Sequence, residues 1–449
     1  MKRVTCSFFS VALLLLSATA GFGSCLSGDC VDGVGVKENR DGSTYEGEFT
    51  GGLYNGKGTR TYRNGTKYVG EWVRGKREGK GIFYFLDGGS YEGDFVGGEM
   101  QGKGVRTFDD GTRFEGEFRA GNPTGQGTYI YPSGMKFSGD FQDGKKNGQG
   151  TLLTPDGIQY TGLWQDDRFD GQGILEIKDR YRHEGLFKAG LAQGRGVRTY
   201  RNGDVYDGEW SHGKKQGQGA YRYKDGASCS GVWREGALNG AGSCVFADGT
   251  QYTGQFLNNM FHGEGTLTFK DGSRYEGQFA ADQFNGRGEM VVKDVHTYTG
   301  QYRDGLREGA GILETADGTK YEGGWLKNQF HAQGSLAVAK VGKYVGNFKT
   351  GVFSGAGVFH NAKERKQYDG QFQDNRMEGR GTLYLGKGIS YTGQISKGAM
   401  DGEGTYSFAD GGKYTGEFRN NLIQGKGSYV APGGEESAGV WENNKRVRR

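Results

Sequence analysis

The 449-residue chain has only four prolines, Pro123, Pro132, Pro155 and Pro432, and no Ser/Pro-rich stretch or block of like charge divides it. Nothing marks an interdomain linker. Beyond Phe8–Leu16 there is no long apolar run, and that one is too short to span a bilayer as a permanent helix. No transmembrane segment is expected. The six histidines form no His-x-x-x-His pair and no Cys/His cluster, which argues against the usual zinc arrangements. Neither sign of charge dominates: of a net +4, the tail residues Lys445, Arg446, Arg448 and Arg449 alone supply four positive charges. The remainder is close to neutral with signs interspersed, whereas phosphate-backbone binding needs a concentrated cationic face. Nucleic acid is not an expected partner. No helical periodicity, no G-x-S-x-G elbow and no G-x-G-x-x-G ahead of a helix is present, so no catalytic residue, metal ligand or cofactor is assigned.

What the chain does have is glycine, 89 of them, on a period. Gly47, Gly70, Gly93, Gly116, Gly139 and Gly162 begin a 23-residue series that runs to Gly439, each inside a Y-x-G-x-F/W core. A period this short allows one supersecondary unit per repeat. With Tyr45 taken as position 1, seventeen full repeats start at residues 45, 68, 91, 114, 137, 160, 183, 206, 229, 252, 275, 298, 321, 344, 368, 391 and 414. One extra residue falls within Asn361–Gln367.

Position 5 is Phe49, Trp72, Trp164, Trp210, Trp233, Trp325 and so on to Trp441, and only Ile395 is not aromatic there. These are read as structural aromatics. Positions 1, 3 and 5, and then 14, 16 and 18, alternate with polar residues, the period-2 pattern of two half-buried strands. Each repeat therefore reads as a β-hairpin. Position 3 is always Gly, which weakens a strand unless another group approaches closely, and a neighbouring aromatic ring is expected to fill that gap. The hairpin tip is placed over positions 7 to 14, ending in G-x-G as in Gly56-Lys57-Gly58, a motif broken only by Ala332. Asp-Gly or Asn-Gly, as at Asn64-Gly65 and Asp87-Gly88, then supplies a two-residue turn into the next hairpin.

Y-x-G-x-F/W followed by G-x-G and D-G every 23 residues resembles the MORN (membrane occupation and recognition nexus) repeat over residues 45 to about 441. The resemblance implies an all-β fold, an elongated, twisted single antiparallel sheet of tandem hairpins. It also implies an aromatic-lined groove and a role in scaffolding, self-association or contact with membrane lipid. It carries no catalytic residue onto this chain.

The expected organisation is a signal peptide over 1–20, an N-terminal cap and half repeat over 21–44, seventeen repeats over 45–436, and a terminal half repeat with a basic tail over 437–449. Lys2, Arg3, the apolar run and Ala18-Thr19-Ala20 suit signal-peptidase cleavage after Ala20. Phe22-Gly23-Ser24-Cys25 resembles a lipoprotein processing box, so lipidation of Cys25 is the rival reading and a non-secretory chain the third. In an oxidising compartment two disulfides are candidates, Cys25 with Cys30 and Cys229 with Cys244, the second against two buried thiols.

Recurrent acids at positions 2 and 4, such as Glu46, Glu48, Glu115 and Glu117, follow the period and read as solvent-face carboxylates, not as a catalytic pair. Asn64-Gly65-Thr66 is a formal glycosylation sequon whose Asn fills an ordinary turn position. The expected function is a non-enzymatic exported scaffold that binds a partner protein, itself or an envelope surface. Cell-wall glycan binding is the alternative and requires position-1 rings such as Tyr68 and Tyr206 to be exposed; phospholipid binding is the third.

Overall fold

The computed structural model describes residues 23–447. The cleavage point at Ala20 and the last two arginines lie outside the described residues. The fold is an antiparallel sheet of 38 strands, with no helix among the described residues. The chain forms two units, residues 1–201 with 211–213 and residues 202–210 with 214–449. In the first, each strand from Cys25–Gly28 to Leu191–Tyr200 pairs with the next. In the second the same rule holds from Lys214–Arg222 to Lys445–Val447.

The first repeat shows the unit. Strand Thr44–Thr50 turns back as Leu53–Thr61, and Gly47 faces Gly58 across the pair. The tip is only the two residues Gly51 and Gly52, both with positive φ (58° and 77°). Equivalent pairs are Asn258-Asn259 (52° and 68°) and Lys327-Asn328 (47° and 68°), the arrangement of a type I′ turn, whose twist matches that of the flanking strands.

This corrects the expected tip at positions 7 to 14. G-x-G is not in the turn at all; it lies within the second strand, where the register shifts between Gly47 and Phe49, a β-bulge. His262 and His331, at position 11 and so within the span read as the tip, are likewise strand residues. Asp-Gly is also not a two-residue turn. Tyr62 N–H donates to Thr66 O (2.8 Å) and Gly65 N–H to Tyr62 O (2.9 Å), which closes a three-residue loop with Gly65 at φ 91°. The Asp or Asn acts as a loop clasp: Asp110 Oδ1 accepts the Thr112 N–H at 2.7 Å.

Each tip is latched to the repeat before it. Gly75 N–H at position 8 donates to Tyr54 O (2.9 Å), and Asn444 N–H does the same to Ile423 O (3.0 Å). At position 11 a side-chain oxygen accepts the next repeat's position-7 N–H, as from Ala120 to Gln101 Oε1 (3.0 Å) and from Asn443 to Gln424 Oε1 (3.1 Å). Where position 8 is Asn, its Oδ1 accepts in return, as from Leu238 N–H to Asn259 (2.8 Å). The upstream half repeat starts the series, because Gly51 N–H donates to Asp32 Oδ1 at 2.7 Å.

Candidate interaction faces

One face of the sheet is the core. In most repeats a position-1 ring packs edge-on against two position-5 rings, as Tyr68 meets Trp72 at 5.1 Å and Phe95 at 4.9 Å. Phe49, Trp72, Trp164, Trp210, Trp233, Trp325 and Trp441 are all buried. Trp72 Nε1–H donates to Gly58 O of the preceding repeat at 3.1 Å, and Trp164, Trp233 and Trp325 repeat the bond to Gly150, Gly219 and Gly311 at 3.2, 3.0 and 3.2 Å. The indole thus finds the partner that a buried N–H requires.

The expected ring over the position-3 glycine is the repeat's own position-1 tyrosine. A Cβ at Gly58 would lie 2.2 Å from Tyr45 Oη, and one at Gly47 would lie 2.4 Å from Gly58 Cα. Both glycines are therefore required by close approach. The phenol then donates to the position-4 carbonyl, as Tyr45 does to Glu48 O at 3.0 Å. Burial pushes the Tyr68 hydroxyl up to about 12.

Tyr68 and Tyr206 are 0 % exposed, which overturns glycan stacking on position-1 rings. The outer side of each such ring is covered by position 10, a role the pattern of residue types hides. Tyr54 stacks on Tyr45 at 3.8 Å, Phe169 on Tyr160 at 3.7 Å and Phe330 on Tyr321 at 3.8 Å. Cations take the same place: Lys146 lies 5.4 Å from the Phe137 centroid, and Arg307 lies 5.5 Å from that of Tyr298, within cation–π range.

The other face is polar and floored by glycine. Its walls come from positions 2, 4, 13 and 15. In the first unit it encloses about 910 Å³ around Lys80, Glu92, Lys103 and Glu115; in the second, about 1050 Å³ around Glu276, Arg287, Gln301, Ile312 and Glu322. The recurrent position-4 acids have a structural task here. Glu48 Oε1 accepts the Lys57 N–H at 3.0 Å, and Gln394 Oε1 the Glu403 N–H at 3.0 Å, so a carboxylate or amide caps the bulge. That side chain lies across the position-12 glycine, where a Cβ at Gly56 would come within 2.4 Å of Glu48 Oε2. Ala332 is tolerated there because its repeat carries Gly324 at position 4. A Cβ at Gly324 would lie 2.4 Å from His331 O and 3.4 Å from the Ala332 Cβ.

Cys229 and Cys244 are direct cross-strand partners and are joined as a disulfide with Cα atoms 4.1 Å apart. Cys25 and Cys30 are joined across 5.9 Å. In this arrangement the Cys25 sulfur is engaged and unavailable for a lipid. His183 takes the position-1 place, is 0 % exposed and pairs in register with Arg198. Burial, and then the Arg198 charge, lower its pKa to about 4. Among the described residues no group of three or more His, Cys, Asp or Glu could hold a metal ion.

Tandem hairpins latched in series, with one aromatic core face and one glycine-floored polar face, define a β-repeat scaffold. The MORN repeat profile matches sixteen segments, from 45–67 to 414–436, and none within 338–367. This chain belongs to the MORN repeat family. Residues 344–367 still form a hairpin, in which Gly346 pairs with Gly357 beneath Tyr344.

No curated protein matches the chain. Among solved structures it is similar to the TCP domain of Drosophila melanogaster SAS-4 (dCPAP) in complex with a proline-rich motif of Ana2 (dSTIL). The identity is 12 %, over 34 % of this chain and 85 % of that one, with a TM-score of 0.24. It is also similar to the TCP10 domain of Danio rerio CPAP in complex with a STIL peptide, with 12 % identity over 56 % and 96 % and a TM-score of 0.21. A catalytically inactive virginiamycin B lyase of Staphylococcus aureus gives 10 % identity over 66 % and 95 % and a TM-score of 0.12. At these scores the overall arrangements are not shared.

Proposed function

We propose that the protein is an exported, non-enzymatic scaffold that holds a partner protein, or a second copy of itself, along the glycine-floored face of its sheet. The observation that carries this reading is the division of labour between the faces. The position-1 and position-5 rings are consumed by the core, whereas the opposite face bares its backbone and offers carboxylate, amide, cationic and short aliphatic groups in most repeats. Near-equivalent units of this kind suit many weak contacts that add through avidity.

Export rests on Lys2, Arg3, the Phe8–Leu16 run and Ala18-Thr19-Ala20. Within export, lipid attachment at Cys25 competes with cleavage after Ala20 and is incompatible with the Cys25–Cys30 bond. The test is capture from the native envelope fraction, with mass spectrometry for protein, lipid and glycan together, using the wild type and Ile312→Arg. A protein retained by the wild type and lost by the groove variant supports the reading. Capture of lipid or glycan alone, or a protein indifferent to Ile312→Arg and to equivalent changes in the first unit, overturns it.

A further inference from the structure

On the core side, a second row of rings flanks the buried one and runs longest through the first four repeats of the first unit; the second unit has the shorter runs Tyr221–Tyr223 and Tyr406–Phe408–Tyr429. Positions 16 and 18 of the first four repeats supply Tyr62, Phe83, Phe85, Phe108, Tyr129 and Tyr131, with guanidiniums at Arg60 and Arg106. They make a continuous stripe: Tyr62–Phe83 6.3 Å, Phe83–Phe85 4.7 Å, Phe108–Tyr129 6.2 Å and Tyr129–Tyr131 5.8 Å. Arg106 bridges the remaining gap, 3.3 Å from the Phe85 centroid and 5.0 Å from that of Phe108. All six rings are half-buried.

The period does not demand them. The same positions hold Leu152 and Thr154, Leu175 and Ile177, Met290 and Val292, and Leu313 and Thr315 in other repeats.

We propose that this stripe docks a proline-rich segment of a partner protein in the polyproline II conformation, a proposal that rests on the reading of the chain as a protein-binding scaffold. Two strands per repeat set equivalent rings about 9.6 Å apart, and three residues of polyproline II rise about 9.3 Å. One turn of such a segment therefore meets one repeat, and four repeats take about twelve residues.

The hydrogen-bonding chemistry matches as well. A proline-rich segment offers carbonyl acceptors and few donors, and the stripe offers donors: three phenols and two guanidiniums. Arg60 is anchored by Asp41 at 2.7 Å and Arg106 by Asp87 at 3.6 Å, yet Arg106 Nη1 finds no acceptor among the described residues. A carbonyl brought over Phe85, with a small turn of the guanidinium, supplies one. The guanidiniums already cover ring faces, which leaves ring edges and the slots between them. Such slots suit pyrrolidine rings, whereas sugar stacking needs open faces.

The experiment titrates the full chain into a fluorescein-labelled dodecaproline and reads fluorescence anisotropy, with a Gly/Ser dodecamer as control. Saturable binding to dodecaproline alone is expected. Phe85→Leu with Phe108→Leu should weaken it at least tenfold, and Met290→Leu in the second unit should not change it. Should the double variant melt early, Tyr62→Phe with Tyr131→Phe removes only hydroxyls and should still weaken binding at least threefold. No saturable binding, equal loss in the Met290 variant, or binding of cellohexaose in place of dodecaproline overturns the proposal. A captured partner that dodecaproline does not displace also overturns it, while leaving the scaffold reading intact.

Discussion

In the repeat that starts at Tyr321, Gly324 and Ala332 exchange the roles that a side chain and a glycine hold elsewhere, and that exchange should appear as an energetic coupling. In other repeats position 12 lies beneath the position-4 side chain: a Cβ at Gly286 or Gly309 would fall 1.8 Å from Gln278 Oε1 or Gln301 Oε1. Gly324→Gln alone forces a side chain onto the Ala332 methyl and should destabilise the repeat by about 1–3 kcal/mol through overpacking. Ala332→Gly alone relieves an alanine held at φ 55°, a conformation that costs a non-glycine residue about 1–2 kcal/mol. It still leaves no position-4 oxygen for the Gln333 N–H. The double variant rebuilds the ordinary arrangement and gains one hydrogen bond, about 1 kcal/mol. The singles should therefore fail to add by about 2–4 kcal/mol. Hydrogen exchange of peptides covering 320–338 is the appropriate assay, because repeat arrays open locally and a global transition averages the effect. Additivity within about 0.5 kcal/mol would refute the reasoning.

Trp72→Phe keeps the ring but loses the bond to Gly58, so local stability should fall by about 1 kcal/mol; Trp72→Ala should cost about 3–5 kcal/mol. A Trp72→Phe melt indistinguishable from that of the wild type would show that the indole N–H contributes nothing. His183, held near 4 when folded and near 6.5 when unfolded, is more readily protonated in the unfolded chain. Stability is therefore complete above about pH 6.5 and falls as pH drops towards 4, with about 2 kcal/mol lost by pH 5. His183→Tyr should remove that slope, read as exchange rates around 181–200 at pH 7 and pH 5. For the N-terminus, Edman sequencing should begin at Gly21; a blocked, detergent-partitioning protein released by Cys25→Ser would instead establish lipidation and exclude the Cys25–Cys30 bond.

The period, the hairpin per repeat and the buried position-5 aromatics are legible in the residues, because each recurs as one residue type. The turns were misplaced for a physical reason. Glycine in G-x-G answers to a tyrosine ring and a position-4 side chain pressing on the strand, not to a reversal of the chain. The true tips accept Gly51-Gly52, Asp166-Asp167 or Lys327-Asn328, so no single dipeptide announces them. Position 10 was invisible for a similar reason. Tyr54, Arg77, Met100, Lys146 and Phe169 share no class, and only the face of a ring, which accepts an aromatic, an aliphatic or a cation alike, explains the set. The capping role of the position-4 acids required the bulge to be known first.

The latches between repeats give the array a grammar that reads one way. The tip of each hairpin is held by residues of the repeat before it and returns the hold mainly through position 8, with the position-7 acids Asp166 and Glu235 adding ion pairs to Lys145 and Lys214. A change at Gln101 should therefore loosen the tip at Ala120 and leave its own tip at Gly97, which hangs on Glu78, undisturbed. Lesions should be felt one unit downstream of where they are made. Asp32 is then the opening word, since it holds a tip and belongs to no full repeat, and Asn443-Asn444 is the last, held by Gln424 and Ile423 with no described repeat after it to support.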